Sequence, residues 1–381
     1  IRRPPRSTQS RSSAASDVYK RQDIDFITEK FKDILQGNSF LSQYKYSEKF
    51  ESGFAEYIGT NFAVSCNSGT SALELIFRGL NIKGKEVILP SNTFIATANA
   101  IINAGGQPIF ADCNDDMCLD FDSVISLISD NTAAICHVHI GGLVSESALR
   151  LSEYCLNNNI YFVEDAAQAH GSSKMGKKAG TLGIAAGFSF FSTKVMTTGE
   201  GGMVTTDDEE LVSRMKSLRE FGKIKKGIFT NYHTSLGYNW RMPEVSALMG
   251  IRQLLSIEDF IDDRKSISNI YDSLLSNVKN IRIIKPCINS RFNHFKYVVI
   301  LEEVDRQSIH EALQEKGINV SGYIYELPLH KQPVFNSYNK VSLPMTEYLC
   351  AQHICLPIYP TLGKGDAEYI AKSLIEILSF S

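Results

Sequence analysis

The sequence predicts an α/β protein with a mostly parallel sheet covered by helices on both faces and a smaller C-terminal α+β domain. Three observations predict it. From Phe62 onward short apolar runs alternate with helical patterns, as parallel strands joined by crossover helices require. Asn67, Asp165 and Lys194 each follow the apolar run of a strand, the edge where such sheets gather ligands. After Asn280 the texture changes, as a second and smaller unit would produce.

The elements follow in order. Ile1 to Gln22 are rich in Arg and Ser, carry Pro4-Pro5 and have almost no apolar residues. Such a composition cannot bury enough surface to fold. A transit peptide shares the composition; a secretory signal would need an apolar h-region. The stretch resembles translated sequencing-adaptor read-through, and residues 1–22 are expected to be a disordered, non-native leader. Phe26, Ile27, Phe31, Ile34 and Leu35 then recur at helical spacing up to Gly37. A second helix is expected from Tyr46 to Ile58, ending at Gly59.

Strands are expected at 62–66, 86–89, 108–111, 133–138 and 160–163, with helices at 69–80, 93–104, 121–128 and 146–156 between them. Ala185 to Phe191 and Met203 to Thr205 read as two more strands. A helix near 207–221, a loop from Gly222 to Trp240 and a helix from Pro243 through Leu255 follow. A long helix to about Leu275 bridges to the C-terminal part. There, strands are expected at 295–301 and 354–358 and helices at 308–316 and 366–378. Residues 23–258 are expected to form a large domain, and 259–381 the bridging helix and small domain.

With 381 residues the chain can bury a large core. Hydrophobic and charged contents of 43% and 21% are ordinary for a globular enzyme. A net charge of −3 makes no electrostatic case for nucleic acid or anionic membrane. No apolar run approaches the roughly 18 to 20 residues that span a bilayer. The eight cysteines form no C-x-x-C pair and mostly lie in apolar runs, which reads as buried free thiols in a reducing cytoplasm.

Chemistry concentrates in three stretches. Ser189-Phe190-Phe191-Ser192-Thr193-Lys194 ends an apolar run, and Gly199, Gly201 and Gly202 follow. Lys194 is pinned between a buried strand and a glycine-rich turn. It is either a surface loop lysine or a desolvated amine able to attack an aldehyde. Tyr161 to Asp165 ends another strand in Glu164-Asp165, where Asp165 is a loop or capping aspartate or a functional carboxylate. Asn67-Ser68-Gly69-Thr70 joins a strand to a helix. It is either a simple N-cap or an anion site built on a helix N-terminus.

Other patterns fail. Gly171-Ser172-Ser173-Lys174-Met175-Gly176-Lys177-Lys178 nearly spells a P-loop, but Lys178 replaces the Ser or Thr that would meet magnesium. His137 and His139 share a strand face without a third metal ligand close in sequence. No G-x-G-x-x-G follows a strand and no G-x-S-x-G elbow occurs.

Taken together, Asn67 to Leu73, Glu164-Asp165-Ala166-Ala167-Gln168-Ala169-His170-Gly171 and Ser189 to Met203 resemble the DegT/DnrJ/EryC1/StrS sugar aminotransferases. The resemblance runs in the family's order from about Asp23 to the C-terminus. It implies the type I fold of pyridoxal-phosphate (PLP) enzymes. It also implies an amino group moving from an amino acid, glutamate foremost, to a keto nucleotide-sugar in deoxyamino-sugar biosynthesis.

The resemblance further implies roles. Lys194 carries PLP and moves the α-proton as base and acid. Asp165 pairs with the pyridinium nitrogen. Gln168 partners the cofactor's phenolic oxygen, and Gly69, Thr70 and Ser189 hold its phosphate. Phe94 stacks on the ring, with core packing as its plainer reading. In Gly237-Tyr238-Asn239-Trp240-Arg241, Asn239 reaches the phosphate of a neighbouring subunit's cofactor, which makes the sites composite and the enzyme a homodimer; a polar turn is the alternative. Arg241 and His330 are candidates for the sugar nucleotide, His330 being equally readable as a surface histidine. Two rivals stand: another PLP activity on this scaffold, such as sugar dehydration, and a non-catalytic PLP-binding regulator. Relatives that dehydrate deoxysugars carry histidine at the lysine position, so Lys194 argues for transamination.

Overall fold

The computed structural model describes residues 19–380 except 287, 321, 339 and 340. Five strands come first: β1 Phe62–Cys66, β2 Glu86–Pro90, β3 Gln107–Ala111, β4 Thr132–Val138 and β5 Tyr161–Asp165. Two dipeptide strands follow, β6 Ser173–Lys174 and β7 Lys177–Lys178, then β8 Ala185–Ser189 and β9 Gly202–Thr206. Seven of them make one sheet in the order β1-β9-β8-β5-β4-β2-β3. Only β9 runs against its neighbours β1 and β8; the remaining pairs are parallel. The loop after β8 sends the chain back beside it, so no crossover helix is needed there.

The strands read as unbroken apolar runs because both faces are covered. Ile88 enters one core with Phe50 and Phe54, while Val87 and Leu89 enter the other with Leu73 and Phe77. Ile135 and Phe162 likewise face the first core, Cys136 and Val163 the second. Successive residues of a strand point to opposite faces.

The helix Ile257–Leu275 runs directly on from Glu244–Leu255. Ile257 and Ile261 pack in the first core of the sheet, whereas Ile267, Tyr271 and Leu275 pack in a third. That third core lies under an antiparallel sheet of Ile281–Ile283, Tyr297–Leu301 and His353–Leu356. The helices Arg306–Glu315 and Lys364–Ser379 cover it.

Three local expectations change. The loop expected over 222–240 contains an antiparallel hairpin, Lys223–Lys226 with Phe229–His233. Its lysine-rich first strand lacks apolar alternation, which hid it. A helix, Pro344–Gln352, stands where none was expected, started by Pro at its first turn. The first helix begins at Arg21 rather than after Gln22. Lys20 N–H donates to Asp23 Oδ2 at 3.0 Å, Asp23 Oδ1 pairs with Arg252 at 2.6 Å, and Tyr19 Oη donates to Thr197 O at 3.3 Å. The end of the expected leader is thus tied to the body; residues 1–18 lie outside the described residues. The seven described cysteines are buried and free; Cys287 lies outside the described residues.

Candidate active site

The carboxyl ends of β1, β5 and β8 open into a cavity of about 790 Å³, closed on its far side by Phe295, Tyr325 and Tyr359 from the C-terminal part. Lys194, Asp165, Gly69, Thr70, Phe94, Gln168 and Ser189 all line it.

Lys194 sits in the turn after β8. Lys194 N–H donates to Phe191 O, Thr198 N–H to Phe190 O and Phe190 N–H to Gly201 O, each at 2.9 Å. Gly199, at φ 78°, lets the chain reverse. The Lys194 ammonium lies 5.2 Å from the centre of the Phe295 ring. Desolvation pushes its pKa down to about 8; Lys296 acts in the same direction and the Asp165 carboxylate opposes. A sizeable neutral fraction is therefore available near neutral pH.

Asp165 is the last residue of β5 and 6% exposed. Thr97 Oγ1 donates to its Oδ2 at 2.8 Å, and Ala167 N–H to its Oδ1 at 3.2 Å. Burial raises its pKa, while Thr97, Ala167 and Lys194 hold it toward the ionised form. Neighbouring Glu164 faces the other way and is structural. It accepts from the backbone of Gly180, Leu182 and Gly183 and pairs with His139 Nε2 at 2.8 Å. That accounts for His139, and no metal-binding cluster occurs among the described residues. The P-loop lookalike folds into β6 and β7, with Lys174 paired to Glu146.

Ser68 caps the helix Gly69–Gly79, its hydroxyl accepting Ser71 N–H at 3.1 Å, and Gly69 and Thr70 still line the cavity at the helix N-terminus. Gly69 rests on Ser189 so closely that an added Cβ would lie 2.6 Å from Ser189 Cβ. Gly202 is equally constrained, since its Cβ would meet Ser68 O at 2.1 Å. These glycines let β9 and β8 approach the helix N-terminus.

Gln168 is buried. Its Oε1 accepts Gly141 N–H at 2.8 Å, and its Nε2 donates to Tyr325 Oη at 3.4 Å. Phe94 is 56% exposed and so is not core; its ring centre stands 6.0 Å from that of Tyr325.

Three residues named for the site do not line this cavity, Asn239 among them having been expected at a neighbour's. Asn239 is exposed and bridges Glu220 by backbone, while the adjoining Trp240 O accepts Asn67 N–H at 3.0 Å. Arg241 lies over the Phe221 ring at 5.4 Å. His330 is fully buried: Nδ1 meets Ser91 Oγ at 2.7 Å and Nε2 meets Glu347 Oε1 at 3.1 Å. Its ring is occupied by the protein, which places it in the framework rather than at a substrate.

Sequence reasoning missed Thr97, Arg264, Phe295, Lys296 and Tyr325, all on the wall or touching it. Thr97 had a faint signal, a second threonine four residues earlier, Thr93, just ahead of the helix, whose hydroxyl lies 3.0 Å from its own. Tyr325 had none. Its φ of 63° is unusual for a bulky residue, and burial followed by the Asp165 charge pushes its phenol up.

The sequence matches the DegT/DnrJ/EryC1/StrS aminotransferase family over residues 21–375. A GDP-perosamine synthase of Caulobacter vibrioides is 32% identical over 342 residues, covering 88% of this chain and 90% of that protein. The UDP-4-amino-4,6-dideoxy-N-acetyl-beta-L-altrosamine transaminase of Campylobacter jejuni is 31% identical over 368 residues, covering 94% and 95%. Among solved structures, Helicobacter pylori PseC, an aminotransferase involved in the biosynthesis of pseudoaminic acid, superposes with a TM-score of 0.87. It is 28% identical and is matched over 95% of this chain and 98% of its own. With the match spanning nearly the whole chain and the strand-end lysine and aspartate in one cavity, this chain belongs to the DegT/DnrJ/EryC1/StrS aminotransferase family.

Proposed function

We propose that this chain is a PLP-dependent aminotransferase that moves an amino group from an amino acid, glutamate foremost, to the carbonyl of a keto nucleotide-sugar. The observation that carries the reading is the desolvated Lys194 amine sharing one cavity with the buried Asp165 carboxylate. The residues present fit the cofactor. Gly69 leaves the helix N-terminus bare against Ser189, a cradle that a Cβ would fill; its N–H groups and positive dipole end suit a phosphate. Lys194 would hold the aldehyde, Asp165 the ring nitrogen, Gln168 the phenolic oxygen and Phe94 a ring face.

When bound, PLP draws electron density from the donor's α-carbon. Everything else falls to this chain. In each half-reaction neutral Lys194 Nζ takes a proton from the carbon that gives up nitrogen, and the resulting ammonium returns one to the carbon that receives it. Asp165, held toward its ionised form by Thr97 and Ala167, supplies negative charge where positive charge must persist. Phe295 and Tyr325 exclude water on the C-terminal side.

Residues 23–258 serve as the cofactor-binding unit, and 259–381 as the bridging helix and small domain. The exposed Asn239 lies outside its own chain's cavity and completes a neighbour's, so the working form is a homodimer. Among the described residues no helix is long and apolar enough to cross a membrane, and the reduced cysteines suit the cytoplasm. The test is a panel of keto nucleotide-sugars incubated with glutamate and the loaded protein. The expected result is an amino-sugar nucleotide and 2-oxoglutarate in equal amounts. Failure of every keto sugar while glutamate is consumed would overturn the acceptor; no reaction with any amino acid would overturn transamination.

A further inference from the structure

Two cations on the cavity wall have no part in the chemistry above. Arg264 projects from the helix Ile257–Leu275 and is 6% exposed. Its Nη1 donates to Ile358 O at 2.9 Å and His294 O at 3.5 Å, both backbone carbonyls. Its Nε is buried with no hydrogen-bond partner. No carboxylate among the described residues pairs with it. A guanidinium enclosed without a counter-charge is costly, and burial alone lowers its pKa, to about 10.

Lys296 lines the same cavity. Its ammonium is 5.5 Å from the centre of the Phe295 ring, the ring that Lys194 also faces at 5.2 Å. Gly322 makes room for it, since a Cβ there would lie 2.9 Å from Lys296 Nζ. Its charge is felt at Lys194. The cavity wall thus carries three cations, Lys194, Arg264 and Lys296, against two carboxylates, Asp165 and Glu200. Asp165 is committed beside Lys194, and Glu200 is exposed in the glycine turn.

We propose that Arg264 and Lys296 form a carboxylate subsite that binds and orients the amino-acid donor against Lys194. The assignment rests on the aminotransferase reading of the same cavity. The anion must be compact, because almost all of Arg264 is enclosed; a nucleoside diphosphate is too bulky to follow it. It must also be held within reach of the Lys194 amine, since the donor's nitrogen reacts where that amine lies. A carboxylate on a small amino acid meets both demands, and a guanidinium or ammonium is its usual partner.

The experiment is calorimetric titration of the PLP-loaded full chain with glutarate, which has the carboxylates but no amino group. GDP and UDP are titrated in parallel, and single-turnover consumption of glutamate is followed separately. Lys296→Met and Arg264→Gln should each weaken glutarate by about ten-fold or more. Cofactor content and nucleotide binding should stay as in the parent, and Arg264→Lys should recover part of the loss. Arg264 also ties its helix to Ile358, so Lys296→Met decides alone if Arg264→Gln does not fold. Unchanged glutarate affinity, no glutarate binding by the parent, or a loss of nucleotide affinity in its place overturns the subsite. A parent that consumes glutamate while the variants bind glutarate normally leaves transamination standing and removes the subsite. A parent that binds glutarate through these cations but never consumes glutamate does the reverse.

Discussion

The Thr97 hydroxyl donates a 2.8 Å hydrogen bond to Asp165 Oδ2, joining the helix Ile95–Asn103 to the end of β5. Thr97 opposes the burial that raises the Asp165 pKa. Removing it in Thr97→Val raises that pKa further. An ionised Asp165 is then lost at a higher pH, so the acid limb of the kcat profile should move upward. Asp165→Asn cannot ionise at all; it should keep PLP and lose on the order of a hundredfold in kcat. A near-normal rate would make Asp165 structural.

Lys194 gives a pH signature without turnover. Its pKa in the folded cofactor-free protein is about 8, against an ordinary 10.5. Between those values the unfolded chain binds more protons than the folded one. Stability should therefore rise with pH across that window, and Lys194→Met should lack the rise. Urea unfolding at several pH values measures it. Borohydride reduction of the loaded protein should leave the pyridoxyl group on the Lys194 peptide; another lysine would sink the assignment.

Gly69→Ala places a Cβ 2.6 Å from Ser189 Cβ. Either the helix N-terminus or β8 must shift. The expected cost is about 1–3 kcal/mol, with weaker PLP retention. Thermal melts and equilibrium dialysis check both. Unchanged retention would show that this close approach has no part in holding the phosphate.

His330→Ala removes partners of Ser91 and Glu347 inside the framework. A stability loss of about 2 kcal/mol is expected, with the KM for the sugar nucleotide unchanged. A raised KM in folded protein would return His330 to the substrate.

Asn239 tests the composite site. Asn239→Ala should weaken PLP binding by roughly one to two powers of ten. Mixed with Lys194→Ala under verified subunit exchange, it should recover activity at limiting PLP, since half the sites of a mixed dimer hold both residues. No recovery would place both residues in one chain's site.

Much of this molecule was legible in the sequence because parallel strands buried on both faces must be apolar at every position. That constraint, expressed in Val87, Ile88 and Leu89, drew the sheet. It also made Asp165 and Lys194 conspicuous, as polar residues ending or following such runs, and glycines at 69 and 202 marked places where backbones nearly touch. The far wall was not legible. Arg264, Phe295, Lys296 and Tyr325 lie on elements whose local patterns say only helix, strand or loop. His330, from a motif that pointed to substrate, was drawn inward by Ser91 and Glu347. The sequence by itself determined the sheet and the groups at its carboxyl edge, since local hydrophobic pattern and backbone sterics act over a few residues. Only the tertiary structure decided which side chains complete the cavity, because that depends on how the C-terminal core packs across the helix Ile257–Leu275, a contact between residues far apart in the chain.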